Sequence, residues 1–224
     1  MDNLWIFLQI IMINILLSGD NAVVIAMASR QLPSQQRKRA VWWGSFAAVG
    51  LRCLLTLAAI SLLKLPYLQA AGSVLLVWIA VKLLHDAEAG RRPGTSGARP
   101  AVAATLAGAV WTIVTADFIM SLDNVLAVAA VADGEPVLMM LGIILSIPMI
   151  IWGSHVLGKL LARYPSLVYA GSGLLGYAAG EMLVSDPGLH GAFARIPLAH
   201  AAIPVLFIPL VIVLGIATIK KNRP

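Results

Sequence analysis

Residues 16–28 read LLSGDNAVVIAMA, and residues 119–131 read IMSLDNVLAVAAV. Each stretch sets Ser-x-Asp-Asn, as Ser18-Gly19-Asp20-Asn21 and Ser121-Leu122-Asp123-Asn124, inside an apolar run long enough to cross a bilayer. An aspartate at that depth costs about 2.5–3.5 kcal/mol on insertion scales unless something pairs with it. One such cluster would pass for a helix–helix hydrogen bond. Two copies point to a shared site, with Asp20 and Asp123 facing each other across an internal repeat and holding a cation.

Composition sets the class. Of 224 residues, 60% are hydrophobic and only 12% charged, about half the charge of a soluble domain, and mean hydropathy is +0.90. This is an all-α integral membrane protein. The net charge of +6 does not imply nucleic acid, because the basic residues lie in short loops between apolar runs. The lone Cys53 excludes an internal disulfide and a Cys-rich metal site. The N-terminus lacks a basic n-region, so the first apolar run is expected to be a retained helix.

Seven runs can each span the roughly 30 Å core: 4–28, 41–63, 66–84, 103–131, 137–157, 167–184 and 199–218. The fourth is long enough to be tilted or broken. With the N-terminus outside, twelve basic residues fall inside, among them Arg37, Lys38, Arg39, Lys159 and Arg163, against Lys64 and Arg195 outside. That asymmetry predicts an external N-terminus and a cytoplasmic C-terminus, which requires an odd number of crossings.

The repeat extends past its opening motifs. Residues 72–84 (GSVLLVWIAVKLL) and 171–183 (GSGLLGYAAGEML) are identical at six of thirteen positions. Equivalent segments run in opposite directions under this topology, as in the inverted repeats of secondary transporters. The expected organisation is a first three-helix repeat over 1–84, a Gly-, Pro- and Arg-rich cytoplasmic linker over 85–102, and a second, inverted repeat over 103–184. An outer loop, seventh helix and basic tail follow over 185–224.

Several polar residues surround the twin motifs. Asn21 and Asn124 offer neutral amide oxygens, and Gly19 suits a local unwinding that exposes carbonyls. Asp117, Ser121 and Asn124 share one helical face, as do Asn14, Ser18 and Asn21. Glu181 and Lys82 occupy equivalent repeat positions. Arg52 is expected to neutralise a carboxylate whose identity is not readable, and Lys82 to snorkel. The series Gly171, Gly173, Gly176 and Gly180 reads as close helix packing, His155 as structural, and Asp186 as exposed. The candidate metal residues are therefore Asp20, Asn21, Asp117, Asp123, Asn124 and Glu181. Carboxylate, amide, hydroxyl and carbonyl donors suit Mn²⁺, Mg²⁺ or Ca²⁺, not Zn²⁺ or Cu⁺. Two aspartates balance a dication, and a third carboxylate, Asp117 or Glu181, would be free to carry a proton. No His-Glu-x-x-His and no Ser/His pairing occurs in the apolar runs, so an enzyme is not expected, nor a prosthetic group.

The motifs Leu17-Ser18-Gly19-Asp20-Asn21-Ala22 and Met120-Ser121-Leu122-Asp123-Asn124-Val125, in a seven-helix chain, resemble the TerC family of integral membrane proteins. The run GYAAGEM at 176–182 is similar to its compact YjbE-like branch. The resemblance covers nearly the whole chain. It implies manganese efflux, a historical link to tellurium resistance, and a grouping with LysE-type exporters. By it, Asp20, Asn21, Asp123 and Asn124 carry over as metal-site residues, while Asp117 and Glu181 fit the branch. Manganese comes from the resemblance, since ligand chemistry leaves Mg²⁺ and Ca²⁺ open. The expected partners are membrane lipid, a divalent metal ion and protons, with a homo-oligomer compatible, in a bacterial plasma membrane. The alternatives are an amino-acid or organic-cation exporter of the LysE type, and a non-transporting subunit that metallates partner proteins.

Overall fold

The computed structural model describes residues 19–62, 65–89, 105–131, 136–193 and 198–221, together with Met12 and Ile196. Within them lie eight helices: α1 (Gly19–Ser29), α2 (Ser34–Leu62), α3 (Leu68–Ala89), α4 (Leu106–Val131), α5 (Pro136–Arg163), α6 (Leu167–Ser185), the single turn α7 (His190–Phe193) and α8 (Ala199–Lys221). No strand occurs among the described residues. The chain is all-helical, as its composition requires.

Boundary residues explain where the helices start. Pro33 precedes α2 and its carbonyl accepts the Arg37 N–H at 2.8 Å; Pro136 opens α5, where a missing N–H costs nothing. The Thr105 hydroxyl accepts the Gly108 N–H at 3.1 Å and caps α4. The helices outrun the apolar segments at several ends. α2 begins seven residues before position 41 and takes in Arg37, Lys38 and Arg39; α5 continues to Arg163. Long basic side chains are good helix formers, and their heads reach water while the backbone stays helical. Residues 85–89 (His-Asp-Ala-Glu-Ala), read above as the start of the linker, belong to α3 as well, alanine and glutamate being good helix formers. α4 runs unbroken.

Four of these helices contain segments long and apolar enough to cross a membrane: Leu68–Glu88, Ile143–Arg163, Leu167–Ser185 and Ala199–Ile219. The apolar segment Leu106–Leu122 of α4 is shorter. Most of the first predicted span lies outside the described residues.

Packing divides the helices into two groups. α6 lies against α3 and α8, α2 lies against α4 and α5, and α1 touches both groups. Glycine brings α6 and α8 together: a Cβ on Gly176 would meet the Phe207 carbonyl oxygen at 2.6 Å, and one on Gly180 the Pro204 Cα at 2.6 Å. Backbones at that distance exchange dispersion contacts that larger residues would block, as the glycine series led us to expect. The start of α3 meets the end of α6, where the Ser73 hydroxyl donates to the Ala179 carbonyl at 2.6 Å. Trp42, Trp43, Trp78, Trp111, Trp152, Leu206 and Val213 face outward, more apolar surface than water tolerates and what lipid requires.

Asp186 departs from the sequence reading. It is fully buried rather than exposed. Its Oδ1 accepts the N–H groups of Tyr67 (2.9 Å) and Gly188 (2.7 Å), and its Oδ2 that of Ala70 (2.9 Å). One carboxylate thus caps the start of α3 from the end of α6 and holds Tyr67 at φ 66°, a left-handed conformation unusual for an aromatic residue. Burial acts to raise its pKa, but hydrogen bonds from the Ala70, Tyr67, Gly188 and Gln69 backbone outweigh it and hold the carboxyl below its ordinary 3.8. The signal was the Asp186-Pro187-Gly188-Leu189 turn, which the Leu189 N–H closes on the Asp186 carbonyl at 3.0 Å.

Candidate functional site

α1 brings Asp20 and Asn21 into the bundle at its first turn. Ala22 and Val24 to Met27, farther along it, are small or apolar and buried, so the helix is held by packing against α5 and α4. The Asp20 Oδ1 accepts the N–H of Asn21 at 2.8 Å. Asn21 itself is 2% exposed, and neither Nδ2 nor Oδ1 of its amide has a hydrogen-bond partner among the described residues. Burying an amide without compensation costs roughly 1–3 kcal/mol on mutational scales. A side chain held that way is suited to meeting a ligand.

The neighbouring helices carry a charged network. Arg52, in the apolar middle of α2 and 2% exposed, donates from Nη2 to Asp117 Oδ1 at 2.6 Å and from Nε to the Ser121 hydroxyl at 2.8 Å. Ser121 in turn donates to Asp117 Oδ2 at 3.1 Å. The Thr56 hydroxyl donates to the Arg52 carbonyl at 2.8 Å. The sequence implied that Arg52 neutralises a carboxylate, and the structure supplies Asp117. The same pairing turns Asp117 toward a guanidinium, and makes Ser121 a link in the network. Both Arg52 and Asp117 act electrostatically on Asp20, so α1 and this network share one polar region.

Of the remaining candidates only Glu181 has a described side chain. Glu181 is exposed on α6, unlike the buried Asn21, Arg52, Asp117 and Ser121. Its repeat equivalent Lys82 sits half-buried with Nζ 5.2 Å from the centre of the Trp78 ring, a cation–π contact at a helix surface. The side chains of Asp123 and Asn124, like Asn14 and Ser18, lie outside the described residues. Among the described residues no three His, Cys, Asp or Glu side chains converge as a metal cluster would.

Apolar helices with outward-facing tryptophans around a buried Asp–Arg–Ser network define an integral membrane protein. Comparison specifies the family: residues 1–223 match the profile described as "Integral membrane protein TerC family", and the chain belongs to that family. It is 43% identical over 215 residues to the uncharacterized membrane protein YjbE of Bacillus subtilis, covering 96% of this chain and 95% of that one. It is 29% identical over 171 residues to YceF of the same organism, covering 75% and 66%. With the UPF0053 inner membrane protein YgdQ of Escherichia coli K12 it shares 25% identity over 181 residues, 74% of each chain. No solved structure matches the chain.

Proposed function

We propose that this protein is a secondary transporter that exports a divalent cation, Mn²⁺ foremost, across the bacterial plasma membrane by alternating access. One observation carries the reading. The Asp-Asn pair occurs on both α1 and α4, these helices pack together, and the buried Asn21 amide has no partner among the described residues. In this reading Asp20 and Asp123 balance the charge of the ion, and Asn21 and Asn124 supply neutral oxygens. Contacts between α1 and α4, α2 and α5, and α3 and α6 support a 3+3 inverted repeat, and the asymmetry of basic residues supports seven crossings with the N-terminus outside.

The Arg52–Asp117 pair has a definite part in this scheme. A bare guanidinium beside Asp20 would repel a dication, and Asp117 cancels that charge while leaving both aspartates of the twin motifs for the ion. Proton coupling through Asp117 would require it to leave Arg52 first. Coupling through Glu181 would have to operate from the bundle surface. The family match bears on TerC and not on the LysE-type grouping.

Manganese flux into proteoliposomes of purified protein tests the proposal. Asp20→Asn and Asp123→Asn should each insert, since an amide is cheaper in the membrane than a carboxylate, yet lose transport. The double variant should be little worse than either, because both changes disable one site. Well-folded single variants that still move manganese would refute the metal site. Wild-type protein inactive without other proteins would favour the metallating subunit.

A further inference from the structure

A cleft of about 950 Å³ opens between the first half of α2 and the stretch of α5 from Ile144 to Ala162, and no member of the Asp–Arg–Ser network lines it. Its upper walls carry Arg37, Lys38, His155 and Lys159, and no acidic side chain lines it among the described residues. Its lower walls are apolar, from Trp42 and Phe46, stacked at 5.5 Å, to Ile144 and Trp152. Arg37 is anchored through Nη2 on the carbonyls of Arg30 (2.5 Å) and Leu32 (3.4 Å), while its buried Nε has no partner among the described residues. Gly158 lines the cleft, and a Cβ there would meet nothing within 4 Å.

We propose that this cleft is a binding site for one anionic phospholipid, its phosphate among the basic residues and an acyl chain along the aromatic floor. Charge complementarity argues for it, since a rim of cations with no acid favours a phosphodiester and repels the transported dication. Dimensions agree. Phe46 lies eight residues below Lys38, about 12 Å along the helix, within the roughly 15 Å depth of one leaflet's hydrocarbon. Exposed Trp42 and Trp152, one turn inside Lys38 and two turns inside Lys159, sit where an aromatic belt meets the headgroups. A soluble anion would use the rim alone and gain nothing from the apolar floor, and a zwitterionic lipid would leave the rim charges unmatched.

Native mass spectrometry of the full chain in mild detergent, titrated with phosphatidylglycerol, phosphatidylcholine or glycerol 3-phosphate, tests the assignment. Phosphatidylglycerol should be retained in preference to the other two. Lys38→Gln combined with Lys159→Gln should weaken it about 30-fold, taking about fivefold per basic residue at an anionic surface. Gly158→Phe should displace the lipid by filling the cleft with every charge still in place. Equal retention of phosphatidylcholine would overturn the proposal, as would glycerol 3-phosphate binding as well as the lipid. A dimer that closes the cleft, dissociated by Gly158→Phe, would assign the face to a second copy instead. The wild-type comparison decides between lipid classes even if a variant fails to fold.

Discussion

Replacing Asp117 by asparagine should both destabilise the protein and weaken its grip on a cation, and the two effects can be separated by charge sign. Arg52, Asp117 and Ser121 form one buried unit: the guanidinium donates to Asp117 at 2.6 Å and to Ser121 at 2.8 Å, and Ser121 donates to Asp117 at 3.1 Å. Removing one partner of a buried pair typically costs 3–5 kcal/mol, because the remaining charge stays desolvated. For a chain of this size each kcal/mol moves the melting temperature by about 2–4 °C, so a fall of about 6–20 °C is expected in detergent. Arg52→Gln should cost less, since a buried carboxylate left behind can take up a proton. Arg52→Met with Asp117→Leu removes both charges and should recover most of the loss.

Cation affinity should follow a different order. At an assumed separation of about 10 Å, one uncompensated positive charge costs a dication about 3 kcal/mol at an effective dielectric constant near 20, roughly two decades of affinity. Asp117→Asn adds that charge to the region around Asp20; Arg52→Gln does not, and the paired replacement restores neutrality. Thermal unfolding measured beside manganese binding by calorimetry reads both series. Equal loss of affinity in Asp117→Asn and Arg52→Gln would mean that the pair acts on the site only by supporting the fold. Melting within a degree or two of wild type for Asp117→Asn would refute the buried-pair reasoning itself.

Asp186→Ala should lower stability by about 1.5–3 kcal/mol, the worth of hydrogen bonds to a charged acceptor, despite changing no residue of the polar network. Because the folded pKa is depressed below 3.8, this contribution is complete above the ordinary carboxylate range and is lost as pH falls through the folded value. The melting temperatures of wild type and Asp186→Ala should therefore converge on acidification below about pH 4; a constant gap down to pH 2.5 would argue against the cap. Gly180→Leu should cost at least about 1–3 kcal/mol by overpacking α6 against α8, where a Cβ already meets Pro204 at 2.6 Å. A variant with an unchanged melting temperature would show that the two helices part more easily than their contact implies.

Hydropathy and local pattern were sufficient for the class of the protein and, among the described residues, for the approximate course of its helices, because each is a property of neighbouring residues. The twin Asp-Asn motifs were legible for the same reason: a carboxylate in an apolar run stands out, and its recurrence needs no coordinates. Glycine spacing foretold close packing on α6, but not that α8 would be the partner. Arg52 could be read as needing a counter-ion but not which one, since Asp117 lies 65 positions away and a lone cation says nothing about which helix face will meet it. Asp186 was read as exposed because it follows a span and precedes Pro-Gly, whereas its partners at Tyr67 and Ala70 lie 119 and 116 positions earlier. The basic residues of α2 and α5 spoke only of orientation until the two helices were set side by side and their charges closed over one apolar cleft. Sequence fixes what each segment must bury; only the tertiary structure decides which segment it is buried against, because that choice depends on all the helix faces competing at once.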